Sequence, residues 1–396
     1  MLNVETDTTT DIRDLDMDSL AKLCTEMGEP SFRGTQLAEW LWKHRVHSFD
    51  LMRNLPRAFR EKLANRFSIR PAQAAHVQES ADGSVKIAYR LHDGEVVEGV
   101  LIPSGDNEYT AESRESGEQG NAIAGAGKAN AGARMNTAGA GKASAGTMSG
   151  RTTACISSQV GCSLRCAFCA TARIPMRRNL SAAEIVDQVD DLNRRSMQRF
   201  GRPLSNIVYM GMGEPLSNYD NVVRSMRLII DERGFGFSAR RITLSTAGLV
   251  PEMHRLADEN INLNLALSLH AASDPVRRNL MSSAREYSLD ELANAVRYWH
   301  RIRGRKVTCE YLLLAGHNDR ESDARTLVRF AGNLPCKVNI IEYNPVVGIP
   351  FSASDRATTD RFAERLTRAG ITVTVRHSSG KDIDAACGQL AARRES

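Results

Sequence analysis

No run of eighteen or more apolar residues occurs in the 396-residue chain, which excludes a membrane-spanning helix on length. The stretch MLNVETDTTTDIRDLDMD is acidic and lacks the apolar segment of a secretory signal. The expectation is a cytoplasmic protein with no membrane contact, whose eight cysteines are reduced rather than paired as a disulfide framework. Charge of one sign is scarce as well. With 52 Lys and Arg against 47 Asp and Glu, the net charge is +5, compatible with a nucleic-acid partner but not enough to establish one. A dinucleotide-binding G-x-G-x-x-G is missing, since Gly211-Met212-Gly213-Glu214-Pro215 does not complete that pattern. A second C-x-x-C pair is missing too, and zinc sites favour paired units.

What the chain does have is a concentration of thiols. Cys155, Cys162, Cys166 and Cys169 fall within fifteen residues, the last three as C-x-x-x-C-x-x-C with Phe168 just before the final cysteine. Three thiolates on one tight loop can converge on a single metal centre, but they cannot close a four-thiolate cage alone. An iron–sulfur cluster held by three cysteines keeps one iron open to an exogenous ligand, a catalytic arrangement. A zinc site with a remote fourth ligand and a set of inert thiols are the competing readings, and the spacing favours iron–sulfur.

The rest of the chain divides by pattern. Residues 1–10 read as a disordered acidic tail. Residues 11–71 show helical spacing in SLAKLCTEM, TQLAEWLWKH and AFREKLANRF, a small three- or four-helix module with Thr35 as a candidate N-cap. Trp40 and Trp42 read as packing, and the module's basic residues suit either RNA docking or a solvated surface. Residues 72–103 alternate as strands around Asp82-Gly83 and Asp93-Gly94, a β-meander. Within it, Glu98 interrupts an apolar strand and by alternation alone reads as an exposed charge. Residues 104–151 are rich in Gly, Ala, Ser, Asn and Thr, too poor in apolar bulk to offset ordering entropy, and read as a flexible insertion.

From residue 152 to 396, strand-like runs alternate with amphipathic helices, two of them headed by the capping boxes Ser181–Glu184 and Ser288–Glu291. About six βα repeats imply an α/β fold with a parallel sheet, a partial (β/α)6 barrel. Chemistry in such barrels lies at the C-terminal ends of the strands. That rule selects Gly213 and Glu214, Ser245, Ser268 and His270, and Asn344. Cys387 alone reads as an incidental thiol. Together with Cys155, it suggests covalent catalysis resolved by disulfide formation.

The set SSQVGCSLRCAFCAT, MGMGEPLSN, TLSTAG, LALSLHA, EYNPVVG and DIDAACGQL resembles the RlmN/Cfr family of radical S-adenosylmethionine (SAM) adenine-C methyltransferases. The likeness runs from the helical module onward, interrupted by residues 104–151. It implies a monomer in which Cys162, Cys166 and Cys169 bind a 4Fe-4S cluster, and the open iron takes the amino and carboxylate groups of SAM. It also implies SAM contacts from Gly213, Glu214, Ser245, Ser268, Leu269, His270 and Asn344. Two SAM per turnover are implied. One methylates Cys387 by polar displacement. The other, cleaved reductively, yields a 5′-deoxyadenosyl radical that takes hydrogen from the S-methyl group, and the resulting carbon radical adds to adenine.

By the same resemblance Glu98 corresponds to the proton acceptor at the ring carbon, against its reading as an exposed charge. Cys155 corresponds to the thiol that attacks Cys387 and releases product. The implied substrates are C2 of one adenine in 23S rRNA and of the adenine 3′ to the anticodon in tRNA, with flavodoxin or ferredoxin as electron donor. C8 of the same rRNA adenine is the Cfr-type alternative, and the DIDAACGQL context favours C2. Ser379 stands where the family often has arginine, so a phosphate contact is missing or supplied elsewhere. Two readings from other classes, a metal-stabilised RNA-binding protein without catalysis and a glycyl-radical activase, give no role to Cys155 and Cys387.

Overall fold

The computed structural model describes residues 10–105 and 150–391. The expected acidic tail, Thr10 apart, and residues 106–149 of the expected insertion lie outside the described residues. The flanks of that insertion differ from the expectation. Ser104 and Gly105 pair with Arg151 and Gly150, so the ladder runs two residues further on each side.

Ten strands form one sheet in which every strand pairs with its neighbours in sequence. β1 (Gln73–Glu79), β2 (Val85–Arg90), β3 (Val96–Gly105) and β4 (Gly150–Cys155) pair antiparallel. From β4 onward, β5 (Asn206–Tyr209), β6 (Ile242–Thr246), β7 (Asn264–Ser268), β8 (Val307–Leu313), β9 (Cys336–Glu342) and β10 (Val373–Arg376) pair in parallel. Short connections over residues 80–84 and 91–95, turning at Asp82-Gly83 and Asp93-Gly94, suffice for the antiparallel hairpins, whereas each parallel pair needs a crossover. Those six crossovers are the expected βα repeats. The meander is no separate sheet: it continues the parallel one across the β3–β4 pair.

The helices are α1 (Met17–Glu26), α2 (Arg33–Ala38), α3 (Arg57–Arg66), α4 (Ala182–Phe200), α5 (Tyr219–Ile230), α6 (Val250–Asp258), α7 (Asp274–Leu280), α8 (Leu289–Arg303), α9 (Glu321–Ala331) and α10 (Arg356–Arg368). Both capping boxes form, and α4 and α8 end on left-handed Gly201 and Gly304, the usual stop where no Cβ opposes that conformation. Thr35 does not cap a helix. α2 already begins at Arg33, because Phe32 is helical and Gly34 lets α2 press on α1; a Cβ on Gly34 would lie 2.7 Å from the Ala21 backbone. Trp42 is buried, and the Trp40 indole donates to Asn54.

The helical module docks on α4 through charge. Arg13, 4% exposed, donates to Asp187 of α4 at 2.6 Å and to Asp11 at 2.8 Å. Asp187 also accepts the Ala72 N–H at 2.9 Å, and Arg45 pairs with Asp190 one residue group further along α4. A buried cation set between two carboxylates leaves both uncompensated when it is removed. Arg13→Ala is therefore expected to lose about 3–5 kcal/mol of stability, measured by urea unfolding; a loss below ~1 kcal/mol would show that the module docks by apolar packing alone.

Candidate active site

The strand-end candidates stand side by side because β5, β6 and β7 are neighbours in the sheet. Gly213 and Glu214 follow β5, Ser245 lies one residue from the end of β6, and Ser268 ends β7. The Ser245 and Ser268 hydroxyls are 3.4 Å apart. Gly213 adopts φ +98°, and a Cβ there would lie 2.6 Å from Gln159 Cβ, so the turn requires glycine twice over. The buried Glu214 carboxylate accepts the N–H groups of Leu216 at 3.1 Å and Ala247 at 2.8 Å, joining the loops after β5 and β6. Burial raises its pKa to about 7 despite those bonds.

Leu269 and His270 follow β7, and both N–H groups donate to the Glu310 carbonyl, at 3.0 and 3.1 Å. Leu269's side chain is in the core, so only its backbone faces other chemistry. His270 has φ +54°, an uncommon conformation outside glycine. Its Nδ1 accepts the Leu312 N–H at 3.1 Å and its ring meets Phe168 edge-on at 4.9 Å. Burial, reinforced by Arg277, lowers its pKa to about 3. The imidazole is thus neutral and acts as an acceptor. Asn344, two residues past β9, donates to Ser378 Oγ at 2.7 Å.

The cysteine loop leaves β4 and is pinned by backbone bonds from two sides. Ala167 N–H donates to the Leu280 carbonyl at 2.8 Å and Arg165 N–H to Ser282 Oγ at 3.0 Å. Ala170 N–H donates to Gly388 at 2.8 Å and Thr171 Oγ1 to Leu390 at 2.6 Å. Burial pushes Cys162 up to about 12 and Cys166 well above the usual thiol range, and the neighbouring Cys169 adds to both shifts. Among the described residues, no three His, Cys, Asp or Glu side chains already stand in metal-ligating geometry, this trio included. Three ionised thiols on one buried loop repel, and a cationic centre between them supplies the attraction that closes such a set.

Cys155 and Cys387 line one cavity of about 370 Å³, within the range of small-molecule sites. Its walls come from β3, β4, β5, β9 and β10, so the sheet curves far enough for β3–β5 and β9–β10 to share an interior. Cys387 is exposed, but to this cavity. Burial pushes both thiols up, Cys387 adding to the Cys155 shift and Arg376 opposing both. Glu98 is 8% exposed, not the solvent-facing charge that strand alternation suggests. It accepts the Ala391 N–H at 2.9 Å and lies 3.7 Å from Lys86 Nζ. Burial raises its pKa, with Lys86 opposing.

Residues 156–330 match the Radical SAM superfamily, and residues 10–69 match the ribosomal RNA large subunit methyltransferase N-terminal domain. Over 381 residues the chain is 42% identical to a probable dual-specificity RNA methyltransferase RlmN of Christiangramia forsetii, covering 96% of each chain. It belongs to the RlmN family of radical-SAM proteins. A dual-specificity RNA methyltransferase RlmN of Desulfotalea psychrophila is 37% identical, over 96% of this chain and 94% of that one. The crystal structure of a radical SAM methyltransferase from Sphaerobacter thermophilus, 37% identical, superposes with a TM-score of 0.81 over 98% of this chain and all of that one. Radical-SAM membership implies SAM and a 4Fe-4S cluster, and a loop of three soft sulfur donors lacking a fourth suits such a cluster. No helix among the described residues is long and apolar enough to cross a membrane.

Sequence reasoning missed several polar groups in this interior. Asn339 Nδ2 donates to Glu310 Oε1 at 3.1 Å between β8 and β9, and Arg376 lines the cavity together with Ser379, the position noted for its missing arginine. A polar residue inside an otherwise apolar strand, as in TCEYLL and VNII, is the signal that marks Glu310 and Asn339. His270 makes a prediction about acid stability. The unfolded chain binds a proton on it near pH 6.5, whereas the native state resists until about pH 3. Stability on its account is therefore full above pH 6.5 and falls as pH drops, by about 5 kcal/mol over the whole window. His270→Asn is expected to flatten the acid limb between pH 6.5 and 4 in denaturant titrations, and an unchanged slope would refute the assignment.

Proposed function

We propose that this protein methylates C2 of one adenine in 23S rRNA and of the adenine 3′ to the anticodon in tRNA. The observation that carries this reading is the shared cavity of Cys155 and Cys387, two thiols from opposite ends of the catalytic region. A radical-SAM site needs no such pair to make a radical, but a covalent methyl carrier with its own release step needs both. When bound, the cluster at Cys162, Cys166 and Cys169 and its SAM supply the methyl group and the radical that activates it.

The remaining work belongs to the chain. The turn at Gly213-Glu214 and the hydroxyls of Ser245 and Ser268 bind SAM, with neutral His270 and Asn344 completing the polar wall. Cys387 carries the one-carbon unit on sulfur and joins it to the base. Glu98, whose raised pKa follows from burial, takes the proton from the ring carbon. Cys155, its proton given up, then attacks the Cys387 sulfur; the carbon–sulfur bond breaks with its electron pair going to the product carbon, which takes up a proton to become the methyl group, and the disulfide left behind must be reopened by a cellular thiol reductant. High thiol pKa values keep both cysteines protonated and quiet at rest. A direct polar transfer from SAM would not serve, because C2 of adenine is a poor nucleophile.

Mass mapping of rRNA and tRNA from cells with and without the gene tests the reading. Loss of 2-methyladenosine is expected from both RNAs, whereas loss of 8-methyladenosine would move the assignment to C8 chemistry. Cys155→Ala should halt turnover with RNA covalently attached to Cys387, seen as a protein band that shifts on nuclease treatment. Cys387→Ala should give neither adduct nor product, while an adduct in that variant would remove Cys387 from the carrier role.

A further inference from the structure

Arg277 is the largest charged side chain in the fully buried interior, with no solvent exposure at all. Its Nε donates to the Leu269 carbonyl at 3.2 Å and one terminal nitrogen to the Ala247 carbonyl at 2.8 Å. These bonds span the loops after β6 and β7, where SAM contacts are proposed. The other terminal nitrogen, NH1, is buried and has no hydrogen-bond partner among the described residues. None of the ion pairs seen among those residues involves Arg277 either, in contrast to Arg13 with its two carboxylates.

A buried guanidinium without a counter-ion costs several kcal/mol, and an unsatisfied charged donor adds to that cost. Two carbonyl bonds explain neither the charge nor the idle NH1, because an uncharged amide would serve them as well. Arg277 lies on α7, whose last residue, Leu280, accepts the Ala167 N–H of the cysteine loop at 2.8 Å. Cys166 and Cys169 pack against the same buried cluster as Leu280 and Ala247, and the Ala247 carbonyl is one that Arg277 holds. The cysteine loop, with its three thiols, is thus a source of negative charge on the side of the molecule where Arg277 is buried.

We infer that Arg277 is a positioning residue for the iron–sulfur centre, its free NH1 available to a sulfur of the bound cluster or its cysteines and its charge favouring the reduced, more negative cluster. This rests on the reading of Cys162, Cys166 and Cys169 as cluster ligands. Charge and hydrogen bonds at sulfur are recognised means of setting a cluster's potential. The effect is one of balance: each added electron makes the cluster more negative, so a fixed positive charge beside it raises the reduced fraction at a given ambient potential.

The test is a redox titration of the anaerobically reconstituted full-length protein, followed by the electron paramagnetic resonance signal of the reduced cluster, without SAM. Arg277→Gln keeps donors for the two carbonyls and removes the charge; Arg277→Lys keeps the charge and loses the fork. The glutamine variant is expected to lower the reduced-to-oxidised ratio at least tenfold at fixed potential, a shift of about 59 mV for one electron. The lysine variant should stay within threefold of the parent protein. Equal potentials in all three proteins would overturn the inference, as would a change confined to SAM affinity. If neither variant folds and takes up iron, the guanidinium is structural and the inference falls. If the parent protein itself takes up no iron, it is the cluster reading that fails, and the two failures are thereby distinguished.

Discussion

The hydrogen bonds that bring residues 380–391 back to the first hairpin of the sheet hold the site in register. Asp382 accepts from Ser80 Oγ at 2.5 Å and from the Ala81 N–H at 3.1 Å, and Asp82 accepts the Gly380 N–H at 2.7 Å. At the other end of the segment the Ala391 N–H reaches Glu98, and Gly388 and Leu390 accept from the cysteine loop. An open sheet of ten strands has two edges, and β10 and the β1–β2 hairpin would otherwise have no fixed relation. The returning segment spans that gap, so Cys387 is set against both Cys155 and the loop of the other three cysteines. Charge-assisted bonds from carboxylates to N–H groups are the stronger kind, which suits a connection with little apolar area of its own.

That dependence explains why the cysteine loop and the Cys155–Cys387 cavity lie beside one another. The cysteine trio sits on a loop after β4, the polar wall follows β5 to β7, and the thiol pair spans from β4 to the returning segment. Parallel strands deliver all their C-terminal ends to one side of the sheet. The antiparallel meander adds something that the parallel part does not. Because β3 pairs with β4, Ile102 and Ser104 of β3 line the thiol cavity, and Glu98 on the same strand is buried against the returning segment through the Ala391 N–H. A carboxylate placed there is desolvated, which raises its pKa and makes it a better proton acceptor than a surface glutamate would be.

Much of this was legible in sequence. The capping boxes, the Asp-Gly turns and the alternation of strand and helix depend on contacts within a few residues, and each formed as the local chemistry requires. Thr35 misled because a helix start is decided by what the preceding turn packs against. Glu98 misled for a related reason: alternation says which residues share a face, but not which face meets the core. The Glu310–Asn339 pair was missed because a single polar residue in an apolar stretch signals little until its surroundings are known, and Arg277 because in DPVRRNL it reads like the exposed Arg278 beside it.

By itself, then, the sequence determined the order of elements, the cysteine spacing on one loop and the family to which the chain belongs, all carried by neighbouring residues. Only the tertiary structure decided that Cys387 shares a cavity with Cys155, that Glu98 turns inward and that Arg277 lies buried without a counter-ion among the described residues. Each of those relations joins residues far apart in the chain, and is set by sheet curvature and closure, which no local pattern encodes.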